Sequence, residues 1–255
     1  MRIWLLLSLL STSVAGDDQW RSLFNGKDLT GWQAKIVGEP LGQDSKHTFR
    51  VSDGKLVVNY ENYQRLNGKY GHLFFQQKYS HYRLRLEYRF IGEQLPDGAG
   101  WAYKNSGVML HSQDPATMRI DQEFPVSVEG QFLGADQGVT RPTGNLCTPG
   151  TLVNIAGKTI TDHCVESSSA TYVDEQWVTA EFEVLGSTSI KHWINGELVL
   201  SYQDISLDTN DDDAKKLVSG GGVTELSEGY IALQSESHPI EFRNIAVKVL
   251  ESQKD

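Results

Sequence analysis

Period two dominates this chain. From Tyr82 to Phe90, Tyr82, Leu84, Leu86, Tyr88 and Phe90 alternate with Arg83, Arg85, Glu87 and Arg89. That is the pattern of a strand with one buried and one wet face. The run from Trp177 to Val184 repeats it, with Val178, Ala180, Phe182 and Val184 on one side. Asn195-Gly196 lies between the runs Ile190 to Ile194 and Leu198 to Tyr202, and Asp53-Gly54 lies between Phe49/Val51 and Leu56/Val58. Both dipeptides are hairpin signals, because a tight two-residue turn needs residues that tolerate positive φ. Tyr230 to Gln234 and Ile240 to Leu250 supply closing strands, and no window carries a sustained helical stripe capped at both ends. Many short strands punctuated by glycine turns predict an all-β chain, a sandwich or jelly roll of antiparallel sheets. The polar stretch from Asp208 to Glu228, with Gly220-Gly221-Gly222 at its centre, reads as a long mobile loop.

The N-terminus reads as an export signal. Arg2 gives a short positive region, Ile3 to Leu10 an apolar run broken only by Ser8, and Ser13-Val14-Ala15 the small-x-small pattern of a cleavage site. The expectation is a signal peptide over 1–15 and a single domain over 16–255. The apolar run is well short of the roughly 20 residues a membrane span needs, and no later stretch is long enough. With no cysteine beside the cleavage site, a lipid anchor is not expected, and the protein is placed outside the cell or in the periplasm. Cys147 and Cys164 are the two cysteines, and in an exported chain an even pair reads as a disulfide. Lys and Arg number 23 against 33 Asp and Glu, a net charge of −10 with no basic cluster. Such a surface repels nucleic acid and anionic membranes, so neither is expected as a partner. The run Asp208 to Asp213 lacks the glycine and final glutamate of a calcium-binding EF-hand loop and reads as solvated.

Parity also assigns faces. Ser127, Glu129 and Gln131 lie opposite Val126, Val128 and Phe132; Asn105, Gly107, Met109 and His111 lie opposite Val108 and Leu110; Gln234 and Glu236 lie opposite Ile231, Leu233 and Ser235. If the three polar sides share one concave face, Asn105, His111, Glu129, Gln131, Gln234 and Glu236 line a cleft. Ordinary wet faces in this chain carry Arg, Lys and Glu, as in Arg83 to Arg89. These carry amides, an imidazole and single glutamates, which suit sugar hydroxyls. Six Trp and ten Tyr add flat faces on which a pyranose could stack. The substrate class implied is carbohydrate.

The segment Leu23-Phe24-Asn25-Gly26-Lys27-Asp28-Leu29-Thr30-Gly31-Trp32 resembles the opening signature of the 3-keto-disaccharide hydrolase domain family. Further matches follow in order: Asn105-Ser106-Gly107-Val108-Met109-Leu110-His111, Glu129-Gly130-Gln131, and Gly229 to Gln234 with Phe242-Arg243-Asn244-Ile245. Asn145 to Gly150 resembles a subgroup feature that accompanies the second cysteine. The resemblance implies a concanavalin A-like jelly-roll β-sandwich and an exported enzyme that cleaves glycosides already oxidised to a ketone at C3. Many family members read Leu-Gln-x-His-Gly at the last motif, where this chain has Leu233-Gln234-Ser235-Glu236-Ser237-His238. Glutamate therefore stands where relatives have histidine.

That chemistry accounts for an amide-rich site. A C3 ketone acidifies the C2 proton, a base removes it, and the C1 substituent leaves by elimination, with water adding afterwards. The route needs one positioned base and one electrophile for the enolate oxygen, a part a divalent metal could play. Glu129, His111 and Glu236 are the candidate catalytic residues, with His111 and Glu129 as candidate metal ligands. Asn105, Gln131, Gln234 and His238 are candidates for holding the substrate. Two other readings stay open: a lectin-like binding module without catalysis, and an ordinary two-carboxylate glycosidase using Glu129 and Glu236. Against the latter, glucanases on such sandwiches keep their carboxylates on one strand as Glu-x-Asp-x-x-Glu, and Gln131 stands where the Asp would be.

Overall fold

The computed structural model describes residues 19–219 and 223–251; the expected signal peptide and Gly220 to Gly222 lie outside them. The strands in chain order are β1 (Arg21–Ser22), β2 (Trp32–Ile36), β3 (Phe49–Ser52), β4 (Lys55–Val58), β5 (Gly71–Tyr79), β6 (His81–Phe90), β7 (Asn105–Ser112), β8 (Val128–Leu133) and β9 (Asn145–Cys147). They continue as β10 (Thr151–Ile155), β11 (Lys158–Ile160), β12 (Cys164–Val165), β13 (Val178–Leu185), β14 (Ser189–Ile194), β15 (Glu197–Leu207), β16 (Gly229–Ser235) and β17 (Ile240–Val249). One antiparallel sheet runs β11-β10-β15-β14-β13-β6-β17-β4-β3, with β1 on β17; the other runs β12-β9-β8-β7-β16-β5-β2. The two sheets make an all-β jelly-roll sandwich.

Alternation decides what lies between the sheets. Tyr82, Leu84, Leu86 and Tyr88 of β6, with Val178, Ala180, Phe182 and Val184 of β13, are buried against Val108 and Leu110 of β7, Val128 and Phe132 of β8, and Ile231 and Leu233 of β16. Phe132 spans the core, stacked on Tyr88 at 4.2 Å and 6.2 Å from Phe182. The hairpins turn where expected, with φ of 48° and 74° at Asp53 and Gly54, and 49° and 85° at Asn195 and Gly196. Arg89 and Arg243 sit over the Trp177 ring on the outer face of the large sheet. Glu87 ties Arg243 and Asn244 to β6 at 2.7 Å each.

The stretch read as one long loop contains a helix, α1 (Asp212–Ser219). Asp211 caps it, its Oδ1 accepting from the Asp213 and Ala214 amides at 2.9 and 2.8 Å. Ala214, Leu217 and Val218 pack on Val126 and Leu207. Two turns with three apolar contacts are too short for periodicity to register. The disulfide joins Cys147 to Cys164, 17 positions apart in sequence, with Cα atoms 4.1 Å apart. The two residues face each other across β9 and β12, so the bridge fastens a two-residue edge strand to the small sheet. Replacing both cysteines by alanine is expected to cost about 3 kcal/mol. The midpoint of denaturant unfolding should fall accordingly, and an unchanged midpoint would contradict the assignment.

Candidate functional site

The outer face of the small sheet carries cross-strand rows of side chains. One row is apolar at its centre: Phe74, Ala232 and Met109, followed by Glu129, Cys147 and Cys164. The next row is polar: Lys35 faces His72, His72 faces Gln234, and Gly107 faces Gln131, which faces Asn145. Above the β8–β9 end of these rows lies a cavity of about 570 Å³. Asn105, Glu129, Gln131 and Glu236 line it, so four of the six residues expected in one cleft meet there, together with Arg141, Asn145, Trp101, Phe124 and the disulfide.

Glycine at 107 makes room for the Glu129 carboxyl. A Cβ there would come within 2.9 and 3.0 Å of Glu129 Cγ and Cδ and collide with its Oε1. The Glu129 side chain therefore lies across the bare backbone of β7. Both carboxyl groups are buried, and both titrate high. Burial pushes Glu129 up to about 8. Burial, then the charge of Glu129, raises Glu236 well above the usual carboxylate range, with Arg141 opposing the rise. Two carboxyls that repel each other in a dry site cannot both ionise readily, so the pair retains a proton at neutral pH. The Arg141 guanidinium is fixed by the Trp101 carbonyl at 2.9 Å, the Gly134 carbonyl at 3.0 Å and the Tyr103 carbonyl. It brings a cation to the cavity without a direct carboxylate bond.

The amides divide the polar work. Asn145 Nδ2 donates to Gln131 Oε1 at 3.2 Å, and its Oδ1 accepts from the Ser167 amide at 2.9 Å. Asn105 Nδ2 donates to the Trp101 carbonyl at 3.2 Å, leaving Oδ1 without a partner; Glu236 Oε2 also lacks one. Buried polar atoms left open beside a cavity are what a ligand rich in hydroxyls would fill.

His111 does not belong to this cleft, contrary to the parity reading. The β7–β16 register shifts beside it, its φ is 48°, and its Nε2 lies 3.0 Å from the Gly186 carbonyl in the turn between β13 and β14 of the large sheet. The ring packs edge-on to Tyr82. A bulge reverses alternation locally, and strict period two cannot see it. His111 and Glu129 therefore cannot share a metal ion. Among the described residues, no group of three or more His, Cys, Asp or Glu side chains could hold one. His238 is buried between Phe90 and Tyr103, edge-on at 5.7 and 5.3 Å, and is not among the residues lining the cavity. Gln234 lies next to the cavity rather than in its wall.

A family model described as the 3-keto-alpha-glucoside-1,2-lyase-like domain matches residues 19–248. The chain belongs to this family. No curated protein matched the chain. Two crystal structures of provisionally assigned glycosyl hydrolases from Parabacteroides distasonis are similar in fold. One is 21% identical with 91% of this chain and 94% of that chain covered, the other 19% with 91% and 100%, each at a TM-score of 0.51. The exoplasmic/lumenal domain of VIP36, solved with Ca²⁺ and Man3GlcNAc, is 8% identical over 89% of this chain and 88% of that chain, at a TM-score of 0.50. All three share the sandwich. In this member of the lyase-like family, Glu236 stands in the last motif and reaches the cleft from just beyond β16. Arg141, Trp101 and Phe124 escaped the sequence reading because they sit on irregular segments, where no period assigns a face. Asn145 was visible only as part of the subgroup motif.

Proposed function

We propose that this protein is an exported carbohydrate-active enzyme that cleaves 3-keto-glycosides by taking the C2 proton and expelling the C1 substituent. The observation that carries the reading is the two buried carboxyls, Glu129 and Glu236, lining one cleft with the Arg141 cation and open amide atoms. Membership of the lyase-like family supports the choice of a 3-keto substrate. The glycosyl hydrolases from P. distasonis are consistent with glycoside cleavage on this fold.

The pair supplies both halves of the proton traffic. The ionised carboxylate removes the proton from C2, and the electrons move to the C3 oxygen as an enolate. As the enolate re-forms the ketone, a C1–C2 double bond forms, the C1–O bond breaks, and the protonated carboxyl delivers its proton to the departing oxygen. Arg141 opposes the negative charge that develops on the ring. Water adding to C1 of the resulting enone completes hydrolysis where the product is not released first. Asn105, Gln131 and Asn145 hold ring hydroxyls. Export rests on the apolar N-terminal run and the disulfide. No helix among the described residues is long and apolar enough to cross a membrane.

The test is incubation of the protein with a 3-keto-α-glucoside and with its unoxidised parent in deuterated water, followed by NMR. Release of the aglycone from the oxidised form alone is expected, with deuterium at C2 wherever water has added back. Binding of both forms with cleavage of neither would favour a lectin-like module instead.

A further inference from the structure

The polar row on the small sheet continues past the cavity wall. Gln234 follows Leu233, which pairs with Val108, so Gln234 lies beside the bare Gly107; His72 faces it from β5. Both side chains are buried, at 0% and 1% exposure. Gln234 has no partner for either its Oε1 or its Nε2, and His72 has none for its Nε2. Phe74, Met109 and Ala232, the apolar neighbours in the adjacent row, offer no hydrogen bond. Sealed cores rarely leave three such atoms open side by side. Phe124 borders both His72 and the cavity. Its ring lines the cavity and stands edge-on to His72 at 6.0 Å, with Tyr70 packed against it at 5.3 Å.

We propose that the cleft has a second compartment behind Phe124, where His72 and Gln234 hold the hydroxyls of a neutral pyranose of the glycoside once the Phe124 ring turns aside. The proposal rests on the preceding reading that the ligand is a glycoside. The chemistry of the floor selects a neutral, hydroxyl-rich ring. Burial and the nearby Lys35 push the His72 imidazole down to about 3, so above mildly acid pH it is uncharged, one ring nitrogen donating and the other accepting. The Gln234 amide adds two donors and an acceptor. Vicinal hydroxyls can satisfy all of these at once. An anion finds less there: the Lys35 ammonium is turned to the Ile36 and Ile120 carbonyls, at 3.3 Å each. The Phe124 and Tyr70 rings offer flat faces for the C–H side of a sugar.

Two variants and one unmodified measurement test this. His72→Phe and Gln234→Leu each remove open polar atoms from a buried place, so the free protein should melt a few degrees higher. Affinity for the unoxidised disaccharide, which binds without reacting, should fall at least about tenfold by calorimetry, and KM for its 3-keto form should rise in parallel. In the wild-type protein, the ¹⁵N resonance of His72 Nε2 should move on titration with the unoxidised disaccharide. A raised melting temperature with unchanged affinity would make the open atoms a packing defect and overturn the proposal, as would an imidazole resonance unmoved at saturation. Failure of the functional reading shows differently, as absence of turnover by the wild-type protein on any 3-keto-glycoside.

Discussion

Replacing Glu129 by Gln is expected to lower cleavage of a 3-keto-glucoside at least about a hundredfold, the usual scale for losing a general acid or base, while the protein becomes less sensitive to rising pH. The swap keeps size and most hydrogen bonding but removes the titrating group. Glu129 titrates near 8 in the folded chain, against the usual carboxylate value near 4.3 once unfolded. A folded group with a raised pKa holds its proton where the unfolded chain has released it. Its contribution to stability is therefore complete below about pH 4 and is lost as the pH climbs through about 8. The wild-type melting temperature should decline across that window, and the Glu129→Gln protein should decline less, leaving it the more stable of the two in mild alkali. Thermal melts at half-unit steps of pH, with product release measured in the same buffers, read both effects. Retained activity would remove Glu129 from the proton transfers. A variant that loses stability in parallel with the wild type would mean that its carboxyl is not the buried titrating group.

Much of the site was legible from parity because the small sheet is regular where it matters. Val108 and Leu110 point inward, so Asn105, Gly107 and Met109 must point outward, and the same logic places Glu129, Gln131 and Gln234 on that face. Legibility ended where regularity did. At His111 the bulge turned the imidazole to Gly186 in the turn between β13 and β14, and a residue four positions from Gly107 in the sequence left the site. Beyond Ser235, where β16 stops, Glu236 reaches the cleft while His238 is held between two aromatic rings. The Arg141 cation and the Phe124 wall came from loops, whose conformation is fixed by carbonyl acceptors and ring contacts scattered along the chain. His72 was hidden differently. It occupies a strand position whose register with Gln234 appears only once β5 and β16 are paired, and no local pattern joins residues 162 apart. The fold itself was legible almost entirely, since hairpin turns and alternation are local properties. The helix Asp212–Ser219 was the exception, a two-turn element stabilised by its Asp211 cap and by Val126 and Leu207 from elsewhere in the chain.

Gly107→Ala tests whether the carboxyl pair depends on the bare backbone beneath it. A methyl group at 107 would occupy the space of the Glu129 carboxyl, within 2.9 Å of Cγ and 3.0 Å of Cδ. The obstructing atoms are the far end of a flexible side chain, so Glu129 can swing aside at small cost, and alanine is a better strand residue than glycine. Melting should therefore change by no more than a few degrees. Catalysis should not survive as well. A displacement of about 1 Å in a reacting group can cost on the order of a hundredfold, so kcat is expected to fall by roughly that much with KM little changed. The upward push on the pair should relax as the two carboxyls separate, and the alkaline limb of the pH–rate profile should move to lower pH. The decisive comparison is the double variant. If glycine serves only to seat Glu129, adding Gly107→Ala to Glu129→Gln should cost almost nothing further, because the interaction is already gone. A further large loss in the double variant would show instead that residue 107 touches the substrate directly, as the open centre of the row between Gln234 and Gln131.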